Sequence, residues 1–272
     1  MTVRLVNESQ ALLSMRESDF DTYSAYGEAV DNSIQAGATV IHIDFDCETQ
    51  SRGFKLIKRV LFSDNGSGMD GEIMHRCLQL GYSSRFNDRS GIGRFGVGMT
   101  LGAIHECQRV DVYSKTKSNG RWQSTFIDLS QLQNDLGADV TIPEPVDADA
   151  PSLNGEHLGA GSGTVVAWSK YDRQPADADT VIEKTKVYMG RTFRRFIWDG
   201  VDIYVNGEKI FAIDPLYVTL EKTQFPEDAK ARLEEPIVIS WPVPADIAEY
   251  EGQKSEIIIK LSLLPEFLRK NQ

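Results

Sequence analysis

The spacing of apolar residues predicts secondary structure along most of the chain. Apolar positions at helical spacing predict a helix over 18–36, which Ser18 or Asp19 caps and Gly37 ends. Alternation of apolar and polar residues, many of them β-branched, predicts a strand over 38–45. The same patterns predict further strands over 55–63, 108–117, 121–129, 163–169, 201–205, 209–213, 235–240 and 255–262, and further helices over 70–80, from Gly98 onward, and over 177–198.

Turn-forming residues divide these elements. Asn119-Gly120 is a preferred hairpin dipeptide and predicts that the two strands around it are antiparallel neighbours. The stretch 81–98 is rich in glycine, serine and arginine, which predicts a loop that leads into the helix at Gly98. Asp214-Pro215 predicts a boundary, after which the pattern is less regular.

Charge and cysteine content limit the classes of function. The 272 residues include 29 basic and 40 acidic ones, and the net charge of −11 argues against strong non-specific nucleic-acid binding by the chain itself. Three cysteines without a CxxC pair fit a reduced, cytoplasmic protein, and four scattered histidines lack zinc-ligand spacing. The sequence contains no apolar run that is long enough to span a membrane, so we expect no membrane partner.

Two clusters of polar residues have the chemistry of a ligand site. Glu28 and Asn32 are four residues apart and share one helix face, where a carboxylate can polarise water and an amide oxygen can ligate Mg²⁺. Asp64 begins the run Asp-Asn-Gly-Ser-Gly at a strand end, where a carboxylate can accept a hydrogen bond from an amino group. Taken separately, the first cluster is more typical of a solvated helix face, and the second is also compatible with an ordinary strand-to-helix turn.

A third cluster, the glycine-rich run 91–98, opens a helix. Its backbone N–H groups and the helix dipole suit phosphate oxygens. The run fits G-x-G-x-x-G, but a polar loop precedes it instead of a strand, which disfavours a dinucleotide-binding fold. The valine and the later motifs of a protein kinase are missing, and the sequence contains no P-loop motif.

Read together, the segments EAVDNSIQAGA, SDNGSGM and GIGRFGVGM resemble the GHKL ATPase superfamily, which includes gyrase B, the ninety-kilodalton heat-shock chaperone, histidine kinases and MutL. Gly163-Thr164 resembles a fourth motif of that superfamily. The resemblance covers about residues 10–213 and is strongest to MORC and MutL-type ATPases. It implies an α+β Bergerat fold: a sandwich with a mixed, mainly antiparallel sheet and helices on one face. The implied domains are an ATP-binding domain over 1–213, with a lid at about 81–98, and a partial transducer-like region of the S5 type over 214–272.

The resemblance also implies roles for individual residues. Glu28 would be the general base, Asn32 would ligate Mg²⁺, and Asp64 would accept a hydrogen bond from the adenine amino group with support from Thr164. The other residues implied to contact ATP are Gly66, Gly68 and Met69 near the adenine, Ser83, Ser84 and Arg85 in the lid, and Gly93, Arg94, Phe95, Gly96, Val97 and Gly98 around the phosphates. The pattern departs from MutL at Gln35, where MutL has Asp, and the transducer lysine of those families is not placed.

The resemblance therefore predicts Mg²⁺-dependent ATP hydrolysis that is linked to lid closure and to ATP-dependent homodimerisation. The expected output is a DNA-related process, with DNA or a DNA-acting partner bound through segments outside this chain. The alternative is a nucleotide-gated interaction module or chaperone-type clamp that hydrolyses little ATP itself.

Overall fold

The computed structural model describes residues 7–17, 21–82, 98–132, 141–151, 161–219, 230–242 and 254–266. The helices are α1 Glu8–Arg16, α2 Thr22–Gln35, α3 Gly71–Arg76, α4 Gly98–Glu106, α5 Leu129–Leu132, α6 Ala178–Thr192 and α7 Arg194–Trp198. The strands are β1 Val40–Thr49, β2 Lys55–Asp64, β3 Cys107–Lys115, β4 Gln123–Asp128, β5 Val146–Asp147, β6 Gly163–Tyr171, β7 Asp202–Val205, β8 Glu208–Lys209, β9 Arg232–Leu233, β10 Ile237–Pro242, β11 Lys254–Ile259 and β12 Ser262–Leu263. The chain divides into two compact units, residues 1–210 and 211–272.

The first unit is built on an eight-stranded sheet with the order β5-β4-β3-β6-β2-β1-β7-β8. The β1–β7 pair is parallel and the other pairs are antiparallel. This mixed, mainly antiparallel sheet with helices packed against it confirms the predicted α+β Bergerat fold. Because β6 lies between β2 and β3, strands that are far apart in sequence end side by side.

The main hydrophobic core lies between the helices and one face of the sheet. Alternation places Val60, Phe62 and Trp168 on this face, where α2 covers them. Tyr26 from α2 is fully buried, and its ring centroid lies 5.7 Å from that of Phe62 and 5.6 Å from that of Trp168. Burial of each large side chain contributes about 1.5–3 kcal/mol, so this contact fixes the position of α2 over the centre of the sheet.

The opposite face of the sheet carries a smaller apolar cluster. Leu61, Val165 and Ala167 are buried there, and Tyr113 and Trp122 pack against them. These residues alternate along their strands with the residues of the main core. The central strands are therefore apolar on both faces, which explains why segments such as Gly163–Ser169 read as nearly continuous apolar runs.

Local hydrogen bonds set the ends of several elements. The Asp21 side chain accepts from Ser24 N at 2.9 Å and starts α2. The predicted caps Ser18 and Asp19 lie outside the described residues. Gly37 follows α2 with φ +75°, as predicted for a residue that ends a helix.

Three predicted elements are shorter or divided in the structure. The helix over 70–80 has the predicted cap, with Asp70 accepting from Ile73 N, but it ends at Arg76. The helix over 177–198 is divided at Phe193, which has φ −96° and ψ 13° and buries its side chain. Of the strand predicted over 209–213, only Lys209 lies in β8, which is the two residues Glu208–Lys209.

The second unit contains two small antiparallel pairs, β10–β11 and β9–β12. The strand predicted over 235–240 corresponds to β10, and the strand predicted over 255–262 corresponds to β11 and the first residue of β12. Within β10, Ile237, Val238 and Ile239 are all exposed, although successive residues point to opposite faces. In the parts of the chain that the structure describes, no helix is both long and apolar enough to cross a membrane.

Candidate functional site

One row of side chains crosses three strands at the end of the sheet. Asp64 on β2 pairs with Thr164 on β6, and Thr164 pairs with Ser114 on β3. Directly paired residues project from the same face, so these three polar side chains line up next to the main core. All three are buried, and Ser114 is completely inaccessible to solvent. We call them the polar row.

Asp64 is held in place by donors from three elements. Ser33 Oγ on α2 donates to Asp64 Oδ2 at 2.9 Å, and Gly66 N donates to Asp64 Oδ1 at 2.8 Å. The backbone N–H of Thr164 also donates to this carboxylate. Burial raises the pKa of Asp64, and these hydrogen bonds oppose that rise. A carboxylate has about four acceptor positions, so one position remains for a ligand donor.

The loop after β2 packs closely against the end of β3. Gly68 has φ +71°, and a Cβ there would overlap Lys115 O. Only glycine accepts both this conformation and this close approach. The next residue, Met69, donates its backbone N–H to Ser114 Oγ at 2.8 Å, and its side chain packs beside the main core. The loop therefore forms one wall beside the polar row.

Helix α2 links the polar row to the N-terminus of α4. Ser33 contacts Asp64, whereas Glu28, one and a half turns earlier, lies against Gly98, the first residue of α4. A Cβ at Gly98 would overlap Glu28 Oε2. Glu28 and Ser33 are five positions apart, which separates them by about 7.5 Å along the helix axis. Asp64, an acceptor for an amino group, and Glu28, a carboxylate beside the first residue of α4, thus lie at two ends of one stretch of α2.

The acidic residues of α2 have perturbed protonation equilibria. Burial raises the pKa of Glu28. The pKa of Asp31 is raised from 3.8 to about 6, first by burial and then by the negative charge of Glu28. Asn32, on the next position, is exposed. The exposed Asn32 amide supplies an oxygen donor, the ligand type that Mg²⁺ prefers, and Mg²⁺ keeps several water ligands. The chemistry of this donor set fits a magnesium ion that phosphates also bind.

The structure brings together the predicted residues that it describes. Asp64 and Thr164 are neighbours, the loop with Gly66, Gly68 and Met69 adjoins them, and α2 places Glu28 against Gly98. Asn32 lies on the same helix, at an exposed position. Eight predicted residues lie outside the described part of the chain: Ser83, Ser84, Arg85, Gly93, Arg94, Phe95, Gly96 and Val97.

Sequence reasoning missed Ser33, Asp31 and Ser114. Ser33 and Asp31 are inside the EAVDNSIQAGA segment, so proximity to Glu28 could have indicated them. Ser114 lies in an ordinary strand pattern and carries no such signal. Its partners become visible only when β3, β6 and the loop after β2 are assembled.

Comparison with known proteins agrees with this geometry. Residues 21–159 match the family model described as histidine kinase-, DNA gyrase B- and HSP90-like ATPase. The chain belongs to this ATPase family. The match includes α2 and the loop after β2, which supply most of the candidate site.

Individual relatives of the ATPase family indicate the branch. The chain is 31% identical to Protein MICRORCHIDIA 4 of Arabidopsis thaliana, over 54% of this chain and 20% of that protein. It is 35% identical to the DNA mismatch repair protein MutL of Colwellia psychrerythraea, over 37% of this chain and 15% of that protein. The chain is thus related to MORC and MutL-type ATPases, and its matched part spans a fifth or less of the length of either relative.

A solved structure has the same fold. The ATPase and transducer domains of DNA topoisomerase II from Balamuthia mandrillaris superpose with a TM-score of 0.52 and 17% identity. The match covers 82% of this chain and 56% of that one. At this identity the likeness supports the fold alone.

Proposed function

We propose that this member of the ATPase family binds ATP along α2 and hydrolyses it. The observation that carries the proposal is the placement of both ends of the site by one helix, with Ser33 on Asp64 and Glu28 on Gly98. The adenine amino group would donate to the remaining acceptor position of Asp64. The phosphates would lie at the N-terminus of α4, where unpaired N–H groups favour anions.

Glu28 is the proposed general base. A carboxylate beside the phosphate end can accept a proton from the attacking water, and the raised pKa of Glu28 makes it a stronger base than a free glutamate. Asn32, together with the phosphates, would hold Mg²⁺, and the metal would supply charge neutralisation on the phosphate oxygens. Glu28 itself remains off the metal in this proposal, because it is needed to orient water.

The predicted lid remains part of the proposal. Ser83, Ser84 and Arg85, and Gly93 through Gly98, would close over the nucleotide and contact its phosphates. We propose that closure promotes homodimerisation, as the resemblance implies, and that the chain acts in the cytoplasm. The predicted domains, 1–213 for ATP binding and 214–272 as a partial transducer-like region, belong to the same proposal.

The biological output that we propose is a DNA-related process. Its support is the name of one relative, a DNA mismatch repair protein. The net charge of −11 favours DNA contact through a partner or through segments outside this chain.

The test is phosphate release from Mg-ATP at increasing protein concentration, together with nucleotide binding. Glu28→Gln keeps the shape of the side chain and removes the base, so we expect a rate loss of about 10²–10⁴-fold with ATP binding retained. Glu235→Gln, at an exposed position of the second unit, is the matched control and should hydrolyse ATP at the normal rate. A specific rate that rises with concentration supports dimerisation.

Two results would contradict parts of this proposal. Equal rates in Glu28→Gln and the unmodified protein would remove Glu28 from the catalytic role. Tight ATP binding with no hydrolysis above background in the unmodified protein would favour the nucleotide-gated interaction module or clamp instead.

A further inference from the structure

The last residue of α4 carries a buried carboxylate that contacts α2. The side chain of Glu106 is 1% exposed, and its Oε1 accepts a hydrogen bond from Thr22 Oγ1 at 2.8 Å. His105 Nδ1 lies 3.0 Å from the same oxygen. Thr22 is the first residue of α2, so this hydrogen bond joins the start of α2 to the end of α4.

Stability alone does not favour a carboxylate at this position. Burial raises the pKa of Glu106, and the hydrogen bonds from Thr22 and His105 oppose that rise. Its Oε2 is buried and has no hydrogen-bond partner among the residues that the structure describes. A methionine of similar length would fill the space without a charge to desolvate. What the carboxylate adds is a directional bond to Thr22.

The same two helices meet again at the proposed phosphate end of the site. Glu28, later in α2, lies against Gly98 at the start of α4, so the two helices run antiparallel. Helix α4 passes directly into β3 at Cys107, so Glu106 is where α4 joins the sheet. Gly98 is eight positions away, about 12 Å along the helix axis, and a tilt of about 5° at Glu106 moves Gly98 by about 1 Å. A small change of angle at Glu106 therefore has a large effect at Gly98.

Apolar packing alone sets this angle less sharply than a hydrogen bond does. Helix α4 buries Ala103 and Ile104 in the main core, and apolar contacts are not directional. A hydrogen bond, in contrast, weakens steeply away from its preferred geometry. The contact at Gly98 is so close that a Cβ there would overlap Glu28 Oε2. The place of the Glu28 carboxylate relative to α4 thus depends on the angle between the helices.

We propose that Glu106 is a positioning residue whose bond to Thr22 sets the angle of α4 against α2 and so places the Glu28 carboxylate at the N-terminus of α4. This inference rests on the proposed function, in which Glu28 is the base and the phosphates lie at that N-terminus. Glu106 itself is buried at the other end of α4 and does not reach the nucleotide. A misplacement of about 1 Å costs on the order of 10²-fold in rate, so the bond should affect hydrolysis more than ATP binding.

The experiment measures kcat for Mg-ATP hydrolysis and the Kd of a non-hydrolysable ATP analogue. The double variant Glu106→Met with Thr22→Val replaces both partners by apolar groups of similar shape, a change that costs little stability. We expect its kcat to fall about 10- to 100-fold, while the Kd changes by less than about threefold. Thr22→Ser keeps the hydroxyl and should keep the normal kcat. The matched control is Thr185→Val, which removes a buried hydroxyl that bonds within α6 and should also leave kcat unchanged.

The single variant Thr22→Val provides a second test of the same bond. It should lower kcat about as much as the double variant does, because each removes one shared interaction. Thermal unfolding establishes which variants are folded at the assay temperature. If one of the two variants does not fold, the other decides by the same criterion.

The possible results distinguish this inference from the proposed function. A folded double variant with the kcat of the unmodified protein would overturn the role of Glu106 and leave the proposed function intact. A loss of analogue binding as large as the loss of kcat would do the same, because it would indicate general damage to the site. Unmodified protein that hydrolyses no ATP would overturn the proposed function and this inference together.

Discussion

Asp31 is a carboxylate that the fold destabilises in its charged form. It lies on α2, three residues after Glu28, so the two acids share a helix face. Among the described residues, no hydrogen bond or ion pair to its side chain offsets the burial and the charge of Glu28. We expect Asp31→Asn to make the protein more stable at neutral pH, because the amide has no charge to desolvate.

The size of the effect follows from the pKa. A rise from 3.8 to about 6 is about 2 units, or about 3 kcal/mol at 1.36 kcal/mol per unit. Asp31 is partly exposed, so solvent screening reduces this to about 1–2 kcal/mol. The folded state binds a proton at Asp31 more tightly than the unfolded state does. Protonation of Asp31 therefore stabilises the fold fully below pH 3.8, and this stabilisation is lost as pH rises through about 6.

The assay is urea unfolding of the unmodified protein and Asp31→Asn at pH 4 and pH 7.5. The variant should gain about 1–2 kcal/mol at pH 7.5 and only a few tenths at pH 4. Asp149→Asn, at an exposed position, should change neither value. A gain that is equal at both pH values, or a loss at pH 7.5, would refute the argument that the charge of Asp31 is the destabilising element.

Three further predictions test other contacts. Gly68→Ala should weaken ATP binding at least tenfold, measured by calorimetry, because the Cβ of the alanine would overlap the end of β3. The control is Gly120→Ala. Gly120 has φ +64° but open space around it, so this variant should lower stability without weakening ATP binding. Arg16→Ala should lower stability by about 2–4 kcal/mol, measured by chemical unfolding, because it removes the buried Arg16 from its partly exposed ion-pair partner Asp172. A change below about 0.5 kcal/mol would contradict this. Trp168→Phe should cost under about 1.5 kcal/mol, since the buried indole N–H has no hydrogen-bond partner to lose among the residues that the structure describes. Trp168→Ala should cost about 3–5 kcal/mol, because it leaves a cavity in the main core.

Local signals explain which parts of the fold the sequence predicted. The hairpin at Asn119-Gly120 and the helix cap at Asp70 were correct, because both depend on residues a few positions apart. The break at Phe193 was not predicted, because a Phe inside an amphipathic run reads as helical. Its side chain is buried in the main core, and that packing is a tertiary effect.

The residues of the candidate site likewise include some that local spacing predicts and others that only the assembled fold shows. Glu28 and Asn32 were predictable because their spacing puts them on one helix face. The partnership of Ser33 with Asp64 links residues that are 31 positions apart, and the pairing of Ser114 with Thr164 links residues that are 50 positions apart. Neither follows from periodicity, since the first requires the packing of α2 against the end of β2 and the second requires the pairing of β3 with β6.

The close contacts of two glycines give a physical reason why the four motifs occur together. Gly98 and Gly163 do not have positive φ values, so a turn conformation does not require glycine at either position. A Cβ at Gly98 would overlap the carboxylate of Glu28, and a Cβ at Gly163 would overlap the backbone oxygen of Asp64. Glu28 of the first motif therefore leaves room only for glycine at position 98 of the third motif. Asp64 of the second motif does the same at position 163 of the fourth. Each motif alone is a common pattern, but a pair of motifs in contact constrains both members, and this is why their combination identifies the fold when no single one does.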